Sequence, residues 1–149
     1  MDSITQEDFR EDSIAKQIVD SALTVHKYFG PGLLESLYEA CLCSELTRRN
    51  IKIMRQVPVS VEYEGEKIDV AFRLDLLVDD RVIVEIKSVE KTLPIHQAQI
   101  MSYLKLSGKR LGLIINFNEH LLKNGIKRIV LRNKLGVLGV LGGEKEGVV

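Results

Sequence analysis

The chain has 149 residues, of which 45% are hydrophobic, and this is enough for one domain with a sizeable apolar core. Its 21 basic and 21 acidic residues give a formal net charge of zero. No stretch reaches the roughly 20 apolar residues of a membrane span, and the acidic N-terminus is unlike a signal peptide, which argues against a membrane protein or an exported one.

Cysteine and histidine usage agrees with a cytoplasmic protein. Cys41 and Cys43 lie two positions apart on a predicted helix, so they point in different directions and are typical of reduced core residues. The three histidines, His26, His96 and His120, lack the spacing of zinc ligands. We therefore expect no structural zinc site.

The zero net charge hides an uneven distribution. Residues 1–90 carry 11 basic and 18 acidic residues, a net charge of −7, whereas residues 91–149 carry 10 and 3, a net charge of +7. The second part could face phosphate while acids gather around a metal ion; an ordinary mixed surface explains the counts equally well. Its basic residues include Lys105, Lys109, Arg110, Lys123, Lys127, Arg128, Arg132 and Lys134.

Two helices are predicted in the first third of the chain, after a flexible lead-in at residues 1–12. Ser13 is a suitable N-cap, and apolar residues then recur at helical spacing until Gly30-Pro31-Gly32 ends the helix. A second helix is predicted from residue 33 or 34 to residue 49, with Asn50 as its C-cap.

The remaining elements indicate an α/β fold. In chain order they are strands at 57–63, 67–78 and 82–87, preceded by the stretch 51–54, then a helix at 94–106, a strand at 111–117, a short helical piece near 119–123 and a strand at 126–131. Pro58 predicts an edge strand or a position near the start of its strand. This order predicts a central mixed sheet flanked by helices, in a domain at residues 13–135 with a flexible, glycine-rich tail at 136–149.

Three charged residues interrupt the apolar hairpin predicted at residues 73–87. Asp75, Glu85 and Lys87 lie in runs of Val, Ile and Leu that are typical of strands covered on both faces. Buried charges cost several kcal/mol unless they are paired, hydrated or bound to a metal. Their convergence would give two carboxylates beside one ammonium, which suits a divalent metal site.

The register of the hairpin decides whether these residues converge. A two-residue loop would place Asp75 and Glu85 on opposite faces, because side chains alternate along a strand. A three-residue loop, Asp79 to Arg81, sets Asp75 opposite Glu85, and we predict this odd loop length. Ordinary explanations also exist: Glu85 and Lys87 could be an exposed pair on an edge strand, and Asp75 could pair with a neighbouring basic residue.

The hairpin resembles the PD-(D/E)xK nuclease superfamily. Asp75 followed by Glu85-Ile86-Lys87 is similar to the superfamily motif, although Leu74 stands where the name of the superfamily has proline. The stretch from Gln99 to Tyr103 resembles the QxxxY element of its exonuclease and recombination-nuclease branches. The resemblance implies a restriction-endonuclease-like αβββαβ core, here with an extra N-terminal helix.

A second motif narrows the resemblance. Gly32, Glu35 and Tyr38 are similar to the signature of the GxxExxY proteins, a bacterial and archaeal group placed in this superfamily. With its surroundings, from Gly30 to Leu46, this motif is more specific than the short Asp and ExK pieces. The likeness covers roughly residues 13–131.

The resemblance implies metal-dependent hydrolysis of phosphodiester bonds in nucleic acid, with DNA as the expected partner and substrate. Mg²⁺ or Mn²⁺ would be held by Asp75, Glu85 and the backbone carbonyl of Ile86, and Glu35 would add a ligand directly or through water. Lys87 would orient the attacking water or stabilise charge in the transition state.

Further roles implied by the resemblance compete with ordinary structural ones. Gln99 would position the lysine or a phosphate, or is a plain surface residue. Glu35 also suits the first turn of any helix, where it offsets the helix dipole. Tyr38 and Tyr103 are typical of packing residues with a hydrogen-bonding tip, and His96 is more typical of a helix cap than of a general base.

A different class of function stays open. The chain could keep the fold without catalysis and bind nucleic acid or an unidentified protein partner, and a homodimer is equally open. The near-zero net charge favours such a binding module, whereas the intact Asp75, Glu85 and Lys87 favour an enzyme.

Overall fold

The computed structural model describes residues 5–132, without the side chains of Val70 and Ala71. The helices and strands in this range are α1 (Gln6–Phe29), α2 (Glu35–Arg48), β1 (Ile53–Tyr63), β2 (Glu66–Val78), β3 (Val82–Lys87), α3 (Pro94–Ser107), β4 (Leu111–Asn116), a 3₁₀ turn (Leu122–Gly125) and β5 (Ile126–Val130). No helix within the described range is long and apolar enough to cross a membrane.

The first helix starts earlier than predicted. Its N-cap is Thr5, whose side chain accepts a hydrogen bond from the Asp8 N–H at 3.0 Å, while the Asp8 carboxylate accepts one from the Thr5 N–H at 2.9 Å. This reciprocal capping box starts the helix at Gln6, so the predicted start at Ser13 is wrong, and residues 6–12 of the predicted lead-in are helical. The predicted tail at 136–149 lies outside the described residues.

The other boundaries follow the sequence closely, except that β1 starts at Ile53, before the strand predicted at 57–63. The register of β1 against β2 shifts between Val59 and Val61, and Gln56 has a positive φ of 50°. A positive φ is uncommon for a residue other than glycine. The strand lies at the sheet edge, as Pro58 predicted.

In the part of the chain that the structure describes, the strands form one five-stranded sheet in the order β1-β2-β3-β4-β5. The β3–β4 pair is parallel and is connected through α3, and the other neighbouring pairs are antiparallel. The predicted mixed α/β sheet with one helical crossover is confirmed.

Helices cover both faces of the sheet. On one face, α1 and α2 pack Ile18 and Leu42 against the even-numbered residues of β3, such as Val84. On the other face, α3 packs Ile100 against residues that include Ile83. Because Gly112 of β4 has no side chain, Ile100 can approach closely: a Cβ there would lie 2.7 Å from its Cδ1.

The hairpin between β2 and β3 has the predicted odd loop. Val78 pairs with Val82 across the three-residue turn, and the register continues through Leu76 opposite Val84. Asp79 and Asp80 of the turn have φ values of 53° and 55°, a left-handed conformation that aspartate tolerates better than most residues. The register puts the odd-numbered residues of β3 on the face covered by α3.

Candidate active site

The site is built where β2 stops pairing with β3. The ladder between these strands ends at Leu76 opposite Val84. One residue further, the Asp75 carboxylate accepts a hydrogen bond from the Ile86 N–H at 2.9 Å. The Asp75 side chain, in place of the β2 backbone, thus accepts the hydrogen bond from β3. This contact fixes the Asp75 carboxylate next to the end of β3.

Glu85 points into this opening without a partner for one of its oxygens. The residue is 6% exposed, and its Oε1 has no hydrogen-bond partner among the described residues. Burial raises the pKa of Glu85 to about 9, and the hydrogen bonding of the Asp75 side chain and its negative charge act in the same direction, against a smaller lowering by the Asp75 backbone. Such a carboxyl group needs either a proton or a cation.

Lys87 adds positive charge beside Glu85. It ends β3 on the same face as Glu85, is half-buried, and its ammonium lowers the pKa of Glu85 against the larger effect of burial. The strand end is held by the neighbouring β4 segment, because the Phe117 N–H donates to the Lys87 carbonyl at 2.9 Å. The predicted grouping of Asp75, Glu85 and Lys87 therefore exists.

Tyr103 of α3 lies beside the carboxylates. Its ring stacks on Phe72 of β2, with centroids 4.2 Å apart and planes 5° apart. Burial raises the pKa of the Tyr103 hydroxyl, and the charges of Glu85 and Asp75 add to that rise. The stack is a long-range contact, and no sequence pattern identified Phe72 as its partner.

The other two candidates on α3 make no hydrogen bond with Asp75 or Glu85 within the described residues. Gln99 is exposed, and its side chain makes no hydrogen bond within residues 5–132. The His96 Nδ1 accepts a hydrogen bond from the Leu93 N–H at 3.0 Å, so His96 caps the start of the helix, the ordinary role that the sequence favoured.

Glu35 reaches the same end of β3 from the opposite face of the sheet. It is the first residue of α2, and its carboxylate accepts a hydrogen bond from the Ser88 N–H at 3.3 Å. Because α2 packs on the face opposite α3, Glu35 does not join Asp75 and Glu85 in a group of three carboxylates within the described residues. The expected approach of Glu35 from a helix on the face of Glu85 is not what the structure has.

Two polar residues near the site, the buried Asn116 and the partly buried Ser88, were missed by sequence reasoning. Asn116, 1% exposed at the end of β4, accepts from the Val89 N–H at 3.1 Å and donates to the Val89 carbonyl at 2.9 Å, which ties down the segment after β3. Ser88 donates to the Leu33 carbonyl at 2.5 Å. An asparagine directly after an apolar strand was the one available signal.

The donor set fits a small divalent cation with two protein carboxylates. Within residues 5–132, no group of three His, Cys, Asp or Glu side chains is close enough to hold a metal ion. Mg²⁺ commonly uses one or two carboxylates and keeps several waters. Asp75 and Glu85 meet that requirement, and the partnerless Oε1 of Glu85 supplies an oxygen that a cation would satisfy.

Comparisons with known proteins identify the superfamily to which the chain belongs. The family profile of the PD-(D/E)XK nuclease superfamily matches residues 12–129. The crystal structure of SSO0001 resembles this chain at 16% sequence identity with a TM-score of 0.47, over 92% of this chain and 70% of that one. No curated protein matches the sequence.

Proposed function

Because this chain belongs to the PD-(D/E)XK nuclease superfamily, we propose that it is a divalent-metal-dependent nuclease that hydrolyses phosphodiester bonds in DNA. The main support is the buried Glu85, which lies beside Asp75 with one oxygen unpartnered. Nucleases of this superfamily generally use divalent metals, and we propose Mg²⁺ or Mn²⁺ here.

Within the superfamily we propose that the chain is a GxxExxY protein. The support is the sequence motif Gly32, Glu35 and Tyr38, all of which lie in or next to α2. In this proposal Glu35 has a function beyond starting the helix, because its carboxylate contacts Ser88 at the end of the strand that carries Glu85 and Lys87. We also propose a cytoplasmic location for the protein.

Each residue of the site would have its own role in the reaction. A bound divalent cation supplies Lewis acidity toward a phosphoryl oxygen and lowers the pKa of a water molecule. Asp75, anchored by the Ile86 N–H, and Glu85 would hold that cation, with the Ile86 carbonyl as a further ligand. Lys87 would orient the attacking water or place positive charge where negative charge develops on the phosphoryl group.

The proposal is tested by incubating the purified chain with labelled single- and double-stranded DNA and RNA, with Mg²⁺, with Mn²⁺ and with a chelator. We expect cleavage of DNA in either metal and none in the chelator. Cleavage that persists in the chelator would contradict the role of the metal, and a preference for RNA would contradict the DNA assignment.

A binding module is the second candidate, and one observation favours it. Only two carboxylates converge within the described residues, and the raised pKa of Glu85, about 9, keeps it protonated at neutral pH when no cation is bound. If no substrate is cut under any metal condition while DNA is retained in a gel-shift assay, this candidate replaces the nuclease.

A further inference from the structure

The loop between α1 and α2, residues 30–34, makes hydrogen bonds with Tyr38 of α2 and with Ser88, the residue that follows β3. The Tyr38 hydroxyl donates to the Gly30 carbonyl at 2.6 Å and accepts from the Leu33 N–H at 3.1 Å. The Ser88 hydroxyl donates to the Leu33 carbonyl at 2.5 Å. Both backbone polar groups of Leu33 are therefore held, one by the second helix and one by the sheet.

Tyr38 is fixed in turn by the core of the sheet. It is fully buried, and its ring stacks on Phe117 with centroids 4.5 Å apart and planes 8° apart. Phe117 is itself attached to β3 through its N–H, which donates to the Lys87 carbonyl. The stack on Phe117 thus fixes the Tyr38 hydroxyl relative to the end of β3, the strand that carries Glu85 and Lys87.

Glu35 depends on this arrangement. It is exposed, and the Ser88 N–H is its one hydrogen-bond partner within residues 5–132. The loop that Tyr38 holds leads directly into Glu35, and Ser88 contacts both that loop and the Glu35 carboxylate. Movement of the loop would carry Glu35 away from the end of β3.

We infer that Tyr38 is a positioning residue, which together with Ser88 holds the 30–34 loop so that Glu35 stays at the end of β3 next to Ser88, where its carboxylate would act on a cation held by Asp75 and Glu85 through water. The inference rests on the proposed function, since the position of Glu35 matters to metal binding only if the site holds a cation. Tyr38 makes no contact with Asp75 or Glu85 and acts through Glu35 alone.

The test uses Tyr38→Phe, which keeps the buried ring and removes the hydroxyl, and Ser88→Ala as an independent variant at a less buried position. Tyr28→Phe is the matched control, because Tyr28 lies near the end of α1 with 82% of its surface exposed. Mn²⁺ affinity is measured by calorimetry for each variant, both with Glu35 present and in a Glu35→Ala background.

We expect Tyr38→Phe and Ser88→Ala each to weaken Mn²⁺ binding about tenfold, as is usual when a residue that supports a metal site from outside its ligands is lost. Tyr28→Phe should bind like the parent. In the Glu35→Ala background the effect of Tyr38→Phe should vanish. An equal loss with and without Glu35, or no loss at all, would overturn the inference and leave Tyr38 a purely structural role.

Hydrogen exchange separates this inference from the proposed function. If the parent binds no Mn²⁺, the metal-dependent function fails, and the backbone amides of Leu33 and Ser88 decide the positioning role. Exchange at least tenfold faster in Tyr38→Phe than in the parent and in Tyr28→Phe supports it. Unchanged exchange at both amides overturns it.

Discussion

The β2–β3 hairpin carries acidic side chains at both of its ends, and the two ends differ in how these acids are neutralised. At the turn, Asp79 pairs with Arg10 at 3.1 Å and with Arg81 at 3.3 Å. Asp80 pairs with Lys109 at 3.2 Å. At the other end, Asp75 and Glu85 have no arginine partner within the described residues.

Burial does not explain this difference. Glu11, next to the turn end, is 8% exposed and nearly as buried as Glu85, yet Arg110 donates two hydrogen bonds to its carboxylate at 3.1 and 3.3 Å. Glu39, also 8% exposed, is paired with Arg55 at 3.0 Å. Arginine neutralises these two buried acids, so the lack of an arginine partner for Glu85 among the described residues supports the proposed site.

The largest expected effect is on the rate of DNA cleavage, which should depend on the site end of the hairpin. Lys87→Met keeps the apolar stem and removes the ammonium, so DNA cleavage should slow by at least ~100-fold. The variant should fold at least as well as the parent, because an apolar side chain avoids the cost of desolvating a charge. Steady-state cleavage rates and chemical denaturation check both statements.

The matched control is Lys91→Met, which changes an exposed lysine just after β3. It should cleave at the parental rate. Equal rates for the parent and Lys87→Met would remove Lys87 from the mechanism.

Stability should change in opposite directions at the two ends in the absence of metal. Glu11→Gln removes the charge that Arg110 binds and should lower the free energy of unfolding by about 1–3 kcal/mol. Glu85→Gln replaces a carboxyl group that must take up a proton when the chain folds at pH 8 with a neutral amide, and should raise the free energy of unfolding by about 1–3 kcal/mol at that pH. Urea denaturation in a chelator measures both, and a loss of stability in both variants would abolish the contrast.

The pH dependence of the free energy of unfolding should also arise from Glu85 at the site end of the hairpin. The pKa of Glu85 is about 9 in the folded chain against an ordinary value of 4.5. The folded state therefore binds this proton more tightly than the unfolded state, and the contribution of Glu85 to stability falls as the pH rises from 4.5 toward 9. Denaturation in a chelator at pH 5, 7 and 9 should show a steeper decline for the parent than for Glu85→Gln. Parallel curves would mean that Glu85 titrates normally.

The hairpin could be predicted because its determinants are local. The parity of the three-residue turn placed Asp75 and Glu85 on one face, and side-chain alternation then added Lys87. The early start of α1 was missed because Thr5 and Asp8 form a capping box within an acidic stretch that resembled a flexible end.

The position of Glu35 could not be predicted in this way. The motif places Glu35 at the start of a helix, but the face of the sheet on which that helix packs depends on long-range contacts such as the stack of Tyr38 on Phe117. The same is true of Asn116, whose hydrogen bonds to Val89 join segments 27 residues apart. Contacts between residues so far apart in the chain produce no repeating pattern in the local sequence, so the sequence alone does not reveal them.

Mn²⁺ titration of three proteins tests most directly whether the unpaired carboxylates form a metal site. Calorimetry should detect binding to the parent and to Glu11→Gln, because the paired acid at the turn end plays no part. Glu85→Gln should lose that binding. Equal binding by all three proteins, or none by the parent, would contradict the assignment of Asp75 and Glu85 as the metal-binding pair.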